Sequence, residues 1–238
     1  MPEKKTTGGE KLLDAVERLI EDTEDLIART ELISQSVGLT PGKDDTARRE
    51  EASKIIVRNY ANRSAATGAL TALPALVPGP GMLVAAVGGT FVDIALMLKH
   101  EVEMVLCLAH LHGFDISDAR ERRACFMLAS LNVTEIQEGN NFLLDVAVAE
   151  MDAVLNYTPR QITKLLISLL GKVALKATSR GPIRALPLVG VVVCGVMNRV
   201  FTGELGNRCA SLFAHRRRRE DKSRPPEENN VVDARVRS

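Results

Sequence analysis

The chain of 238 residues has no Trp, two Tyr and six Phe, so aromatic side chains make up only 3% of a sequence that is 45% hydrophobic. No series of period-two runs rich in β-branched and aromatic residues occurs, which argues against a strand-based fold. The core must be assembled from Leu, Val, Ala and Ile, a mixture that favours closely packed helices. The same scarcity leaves no aromatic belt for a membrane interface. Four cysteines, Cys107, Cys125, Cys194 and Cys209, are widely spaced and form no CxxC pair. A disulfide framework and a zinc knuckle are therefore not expected, and buried thiols in a reducing cytoplasm are. The amino terminus, Met-Pro-Glu-Lys-Lys, lacks the apolar segment of a secretory signal. There is no Gly-x-Ser-x-Gly elbow and no Gly-x-x-x-x-Gly-Lys-Ser/Thr loop, so no catalytic residues are assigned.

Uninterrupted apolar runs of bilayer length, about 20 residues, are also missing. Ser64–Val92 is uncharged, but Leu73-Pro74-Ala75-Leu76-Val77-Pro78-Gly79-Pro80-Gly81 divides it. Each Pro removes a helical donor and pushes the residue before it out of the α region, so two apolar helices should meet at this corner. The second continues through Asp93, Lys99, His100, Glu101 and Glu103 to a stop at Gly113. The expected architecture is all-α: a single helical bundle around this Pro/Gly-cornered hairpin. Residues 1–10 are expected to be disordered, 11–42 to form an N-terminal heptad helix, 43–214 the main helical domain, and 215–238 a disordered basic tail.

Within the arm, Leu12, Val16, Leu19, Thr23, Leu26, Thr30, Ile33 and Val37 alternate steps of four and three. This seam serves either a partner-binding coiled coil or, because two Thr interrupt it, an intramolecular hairpin with the helix at 44–60. Further starts are signalled by Ser117 or Asp118 with Glu121, and by Thr158-Pro159-Arg160-Gln161. The last helix is expected over about 183–214, where Gly190, Gly195, Gly203 and Gly206 allow close helix approach.

The net charge of +1 conceals an asymmetry. Residues 1–42 carry five basic and nine acidic side chains, residues 215–238 eight and five. The run Arg216, Arg217, Arg218 and Arg219 suits an anionic surface, whereas the absence of interleaved aromatics and of a recognition helix argues against nucleic acid. Asp93, His100, Met104, Cys107 and Leu111 share one line along their helix, with Glu103 a turn from His100 and Cys107. Asp93, His100, Glu103 and Cys107 are thus candidate ligands for Zn or Fe, with Glu135, Glu138, Asp145 and Glu150 as further donors from elsewhere. The blander reading makes Asp93 an ion-pair partner of Arg63 or Arg184 and Cys107 a small buried hydrophobe. It places His110 and His112 at a helix C-terminus, where a cation favours the dipole.

The segment from Ala65 to Pro74, the Pro-Gly corner, Asp93, and the helix ending in Leu111-His112-Gly113-Phe114-Asp115-Ile116 together resemble the EcsC family of bacterial proteins. His112 stands where that family usually has an aromatic residue. Leu186-Pro187-Leu188-Val189-Gly190 to Asn198 is similar to its final helix. The resemblance spans roughly residues 50–214 and implies an α-helical protein named after a gene neighbour of an ABC-transporter operon; it supplies no catalytic residues to carry over. The expected function is non-enzymatic: binding of a membrane surface or membrane-protein partner on the cytoplasmic side. Contact would run through Leu73, Pro74, Val77, Pro78 and Pro80 together with Arg216–Arg219.

Overall fold

A computed structural model describes residues 7–38, 46–72, 90–138, 151–179 and 189–223, all helical apart from short turns. The helices are α1 (Gly8–Leu19), α2 (Thr23–Ser36), α3 (Thr46–Ala72), α4 (Thr90–Leu111), α5 (Ala119–Glu138), α6 (Met151–Leu155), α7 (Pro159–Ser179) and α8 (Val189–Ser223). No strand occurs among the described residues, and none of their helices is long and apolar enough to cross a membrane. The corner at Leu73–Gly81, with Leu73, Pro74, Val77, Pro78 and Pro80, lies outside the described residues, as do Asp145 and Glu150.

Helix α4 is the axis of the bundle, with α1, α2, α3, α5, α7 and α8 all packed against it. Every residue from Glu101 to Ala109 is buried. A helix enclosed on all sides has no solvent face, which is why its sequence is apolar all round rather than striped. Its end is local chemistry. Gly113 takes a left-handed φ of 89°, which glycine adopts without a Cβ clash, while the Phe114 N–H returns to the Ala109 carbonyl at 3.1 Å. Among the described helices, α3 and α8 pack against each other most extensively. Gly206 permits it, since a Cβ there would stand 2.7 Å from Val57 and 2.9 Å from Met104.

Two starts follow their sequence signals. Thr158 accepts from the Gln161 N–H while the Gln161 side chain accepts from the Thr158 N–H, with Pro159 as first helical residue. Asp118 accepts from the Arg120 N–H ahead of α5. Its expected partner Glu121 turns instead to the Arg216 guanidinium.

Three expectations are corrected. Residues 8–10, expected to be disordered, form the first turn of α1, where Thr7 accepts from the Glu10 N–H at 3.2 Å. The heptad arm is not one helix: it breaks at Ile20–Asp22, leaving Leu19 40% exposed and Ile20 in the core. The Glu21 N–H, freed by the break, donates to the buried Glu103 carboxylate at 3.0 Å. The two resulting helices pack inside the bundle, α1 on α7 and α4, α2 on α4 and α3. The intramolecular alternative is thus the one observed. Likewise, residues 215–223 are not a disordered tail, because α8 continues to Ser223. Arg216 is only 8% exposed and its guanidinium lies 4.0 Å from the Phe114 ring, so the basic run starts inside the fold.

Candidate functional site

The line of residues read along α4 divides between two neighbours. His100 and Cys107 both face α3, where Nε2 of His100 lies 2.9 Å from the Thr67 hydroxyl and Sγ of Cys107 lies 3.6 Å from the Tyr60 hydroxyl. Glu103 faces the α1–α2 break, accepting from the Glu21 N–H and, at 2.8 Å, from the Lys99 ammonium. Arg29 links the sets, donating to the Tyr60 hydroxyl at 2.9 Å and pairing with Glu21 at 2.5 Å. A connected polar chain from Lys99 through Glu103, Glu21, Arg29 and Tyr60 to Cys107 fastens the N-terminal helices to α3 and α4. Burial, then the nearby Lys99 and Arg63, pulls His100 down to about 4, so its imidazole is neutral at pH 7. Burial raises the Cys107 thiol, which makes it a packed sulfur rather than a reactive thiolate. The Asp93, Glu135 and Glu138 side chains lie outside the described set. Among the described residues no three His, Cys, Asp or Glu side chains gather where they could hold a metal ion.

A second polar set has no sequence-level counterpart. Glu101 is fully buried on another side of α4 and its Oε1 accepts from Nδ2 of Asn132 at 2.8 Å and, more loosely, from the Thr202 hydroxyl at 3.4 Å. The same Thr202 hydroxyl lies 3.0 Å from that of Ser64, and its one proton serves either acceptor. Helices α3, α4, α5 and α8 each contribute one residue to this cluster. Burial raises the carboxyl to about 8, more than these two uncharged donors lower it, so Glu101 is mainly a neutral acid at pH 7.

The third set, near the C-terminal end of α8, runs from a buried ion pair to exposed side chains. Arg216 reaches back to Glu121 on α5 with two parallel bonds of 3.0 and 2.6 Å, a geometry only guanidinium supplies. That is why Glu121 does not complete a capping box. Arg217 donates to the His112 carbonyl at 2.9 Å, putting a cation on the C-terminus of α4, and lies 3.7 Å from Asp221 one turn on. Arg218 and Arg219 are exposed. The run of four arginines thus splits into two that hold the fold and two that face solvent.

Above them the first turns of α3 and the last turns of α8 enclose a cleft of about 520 Å³, with His112 in its wall. Arg49 and Lys54 come from α3, and Arg217, Arg218 and Lys222 from α8. Only Glu50 and Asp221 oppose them, so the Lys, Arg, Asp and Glu side chains of the lining sum to about +3. Burial, then Arg49, Arg217 and Arg218, pulls His112 down to about 4. Burial also lowers His110, so neither histidine serves as the expected cation at the end of α4, and Arg217 takes that role. Sequence reasoning missed Arg49 and Ser53, which reach the cleft from α3, far earlier in the chain than the end of α4; nothing local in the sequence signalled it.

No family model, no curated protein and no solved structure matches this chain.

Proposed function

We propose that the protein is a non-enzymatic, membrane-proximal helical module that attaches through its basic end to an anionic surface on the cytoplasmic side of a membrane. The observation supporting this is the convergence of cations from α3 and α8 around one cleft, continued outward by the exposed Arg218 and Arg219. Such attraction contributes about 1 kcal/mol per basic residue close to an anionic bilayer, enough for reversible attachment by a few side chains. The resemblance to EcsC proteins supports a transporter as the membrane-protein partner. It also supports the apolar Pro/Gly corner, with Leu73, Pro74, Val77, Pro78 and Pro80, as a second contact.

Flotation with phosphatidylserine-containing vesicles tests the attachment. Binding at low salt that fades as salt rises is expected, and Arg218→Ala with Arg219→Ala should weaken it. Absence of the intact protein from the lipid fraction at low salt removes the membrane from this reading. The alternative, a Zn or Fe site on Asp93, His100, Glu103 and Cys107, has less support, because Lys99 already neutralises Glu103 and burial keeps Cys107 protonated. Stoichiometric metal in untagged protein, lost in His100→Ala, would restore it.

A further inference from the structure

We infer that the cleft between the first turns of α3 and the last turns of α8 binds a phosphate monoester, presented by a small soluble molecule or by a lipid headgroup. The inference rests on reading this end as an anion-binding surface, but not on the anion belonging to a membrane.

Two buried donors carry it. Ser53 and His112 are each only 5% exposed, both line the cleft, and neither the Ser53 hydroxyl nor Nε2 of His112 has a hydrogen-bond partner. Leaving such groups unsatisfied costs as much as breaking a hydrogen bond, so a bound acceptor offsets two penalties at once. A phosphate oxygen can accept from a hydroxyl, from the Nε2–H tautomer of a neutral imidazole and from guanidinium or ammonium, the chemistry collected here. The charge pattern agrees. Glu50 is satisfied by Lys54 at 2.7 Å and Asp221 faces Arg217, so the positive excess is carried by Arg49, Arg218 and Lys222. The amino-terminal turns of α3 add a dipole that favours an anion, while Arg217 covers the carbonyl end of α4 that would repel one. The volume exceeds that of an inorganic ion, and Val57, Ala210 and Ala214 supply apolar wall for the organic part of an ester.

The chain has four histidines, so its imidazole signals are few and can be assigned from single His→Gln variants of the full-length protein. Inorganic phosphate, added at constant ionic strength against chloride, should shift the His112 signals saturably. It should also move the His112 titration upward from its low value, since an anion beside the ring opposes the effect of Arg49, Arg217 and Arg218. Arg218→Ala combined with Lys222→Ala, at exposed positions where folding is not at risk, should weaken the apparent affinity about tenfold or more. Ser53→Ala should weaken it less. No saturable shift at millimolar phosphate overturns the inference even if vesicle flotation succeeds. A shift equal in chloride, or unchanged in the double variant, overturns it as well, by placing the ion elsewhere. Glycerol phosphate binding without flotation assigns the cleft to soluble esters, whereas flotation on phosphatidate vesicles that phosphate competes away assigns it to a headgroup.

Discussion

Glu101 and Glu103 are both fully buried, two residues apart on α4, and yet they are different chemical objects. Glu103 meets an ammonium and a backbone N–H. Glu101 meets an amide and a hydroxyl, neither charged. Burial raises the free energy of a carboxylate in both places; a cation compensates it in one, and protonation in the other. Two steps along a helix rotate a side chain by about 200°, so the same residue type is presented to different neighbours. The lesson is that the protonation of a buried acid belongs to the helix it faces rather than to its depth.

Removing the cation should give the largest loss of stability. Lys99→Met strands Glu103, and a loss of about 3 kcal/mol in urea unfolding is expected, with much of it recovered in the Lys99→Met, Glu103→Gln double variant. A double variant no more stable than the single one would show that the pair does not hold Glu103.

At Glu101 the opposite sign is expected. The folded value of about 8 lies above the ordinary 4.5, so the native state holds a proton that the unfolded state releases between these limits. Stability from this group is complete below about pH 4.5 and declines as pH rises to about 8. Glu101→Gln keeps the shape without the acid. It should be close to wild type below about pH 4.5 and increasingly more stable as pH rises, by on the order of 4–5 kcal/mol at pH 8.5. Parallel pH profiles for the two proteins would mean that Glu101 is ionised.

The histidines act on the acid side, more weakly. His100 and His112 are both held near 4 against an ordinary 6.5. Their contribution is therefore fully present above about pH 6.5 and is lost as pH falls towards 4. Thermal melts of His112→Gln should show a shallower decline over that window than wild type. The smallest effect belongs to the cleft: Arg218→Ala and Lys222→Ala are expected to change stability by less than about 0.5 kcal/mol, because both side chains are exposed. A larger loss would make these cations part of the scaffold.

What the sequence made legible was local. The capping pair at Thr158 and Gln161 and the glycine stop at Gly113 depend on neighbours within a few residues. The helical line through His100 and Cys107 was also readable, and both residues do face α3. Their partners were not, since Thr67 and Tyr60 reach them only through the packing of another helix. The break at Ile20–Asp22 had a signal, Asp22 before Thr23-Glu24-Asp25, that the heptad periodicity outweighed. The burial of Arg216 had none, because an arginine in a run of four looks like solvent-facing charge until Phe114 and Glu121 are placed beside it.

Those last contacts also set a clock. Arg216 and Arg217 meet partners 95 and 105 residues earlier in the chain, Glu121 and the carbonyl of His112. At about 5–20 residues per second of synthesis, helices α4 and α5 leave the ribosome several seconds before the arginines that complete them. During that interval Glu121 lacks its Arg216 partner and the end of α4 lacks the Arg217 cation that caps it. The fold therefore closes from its C-terminal side, and ribosome-stalled chains ending before Arg216 should be cleaved by protease near Gly113 where chains that include Ser223 are protected.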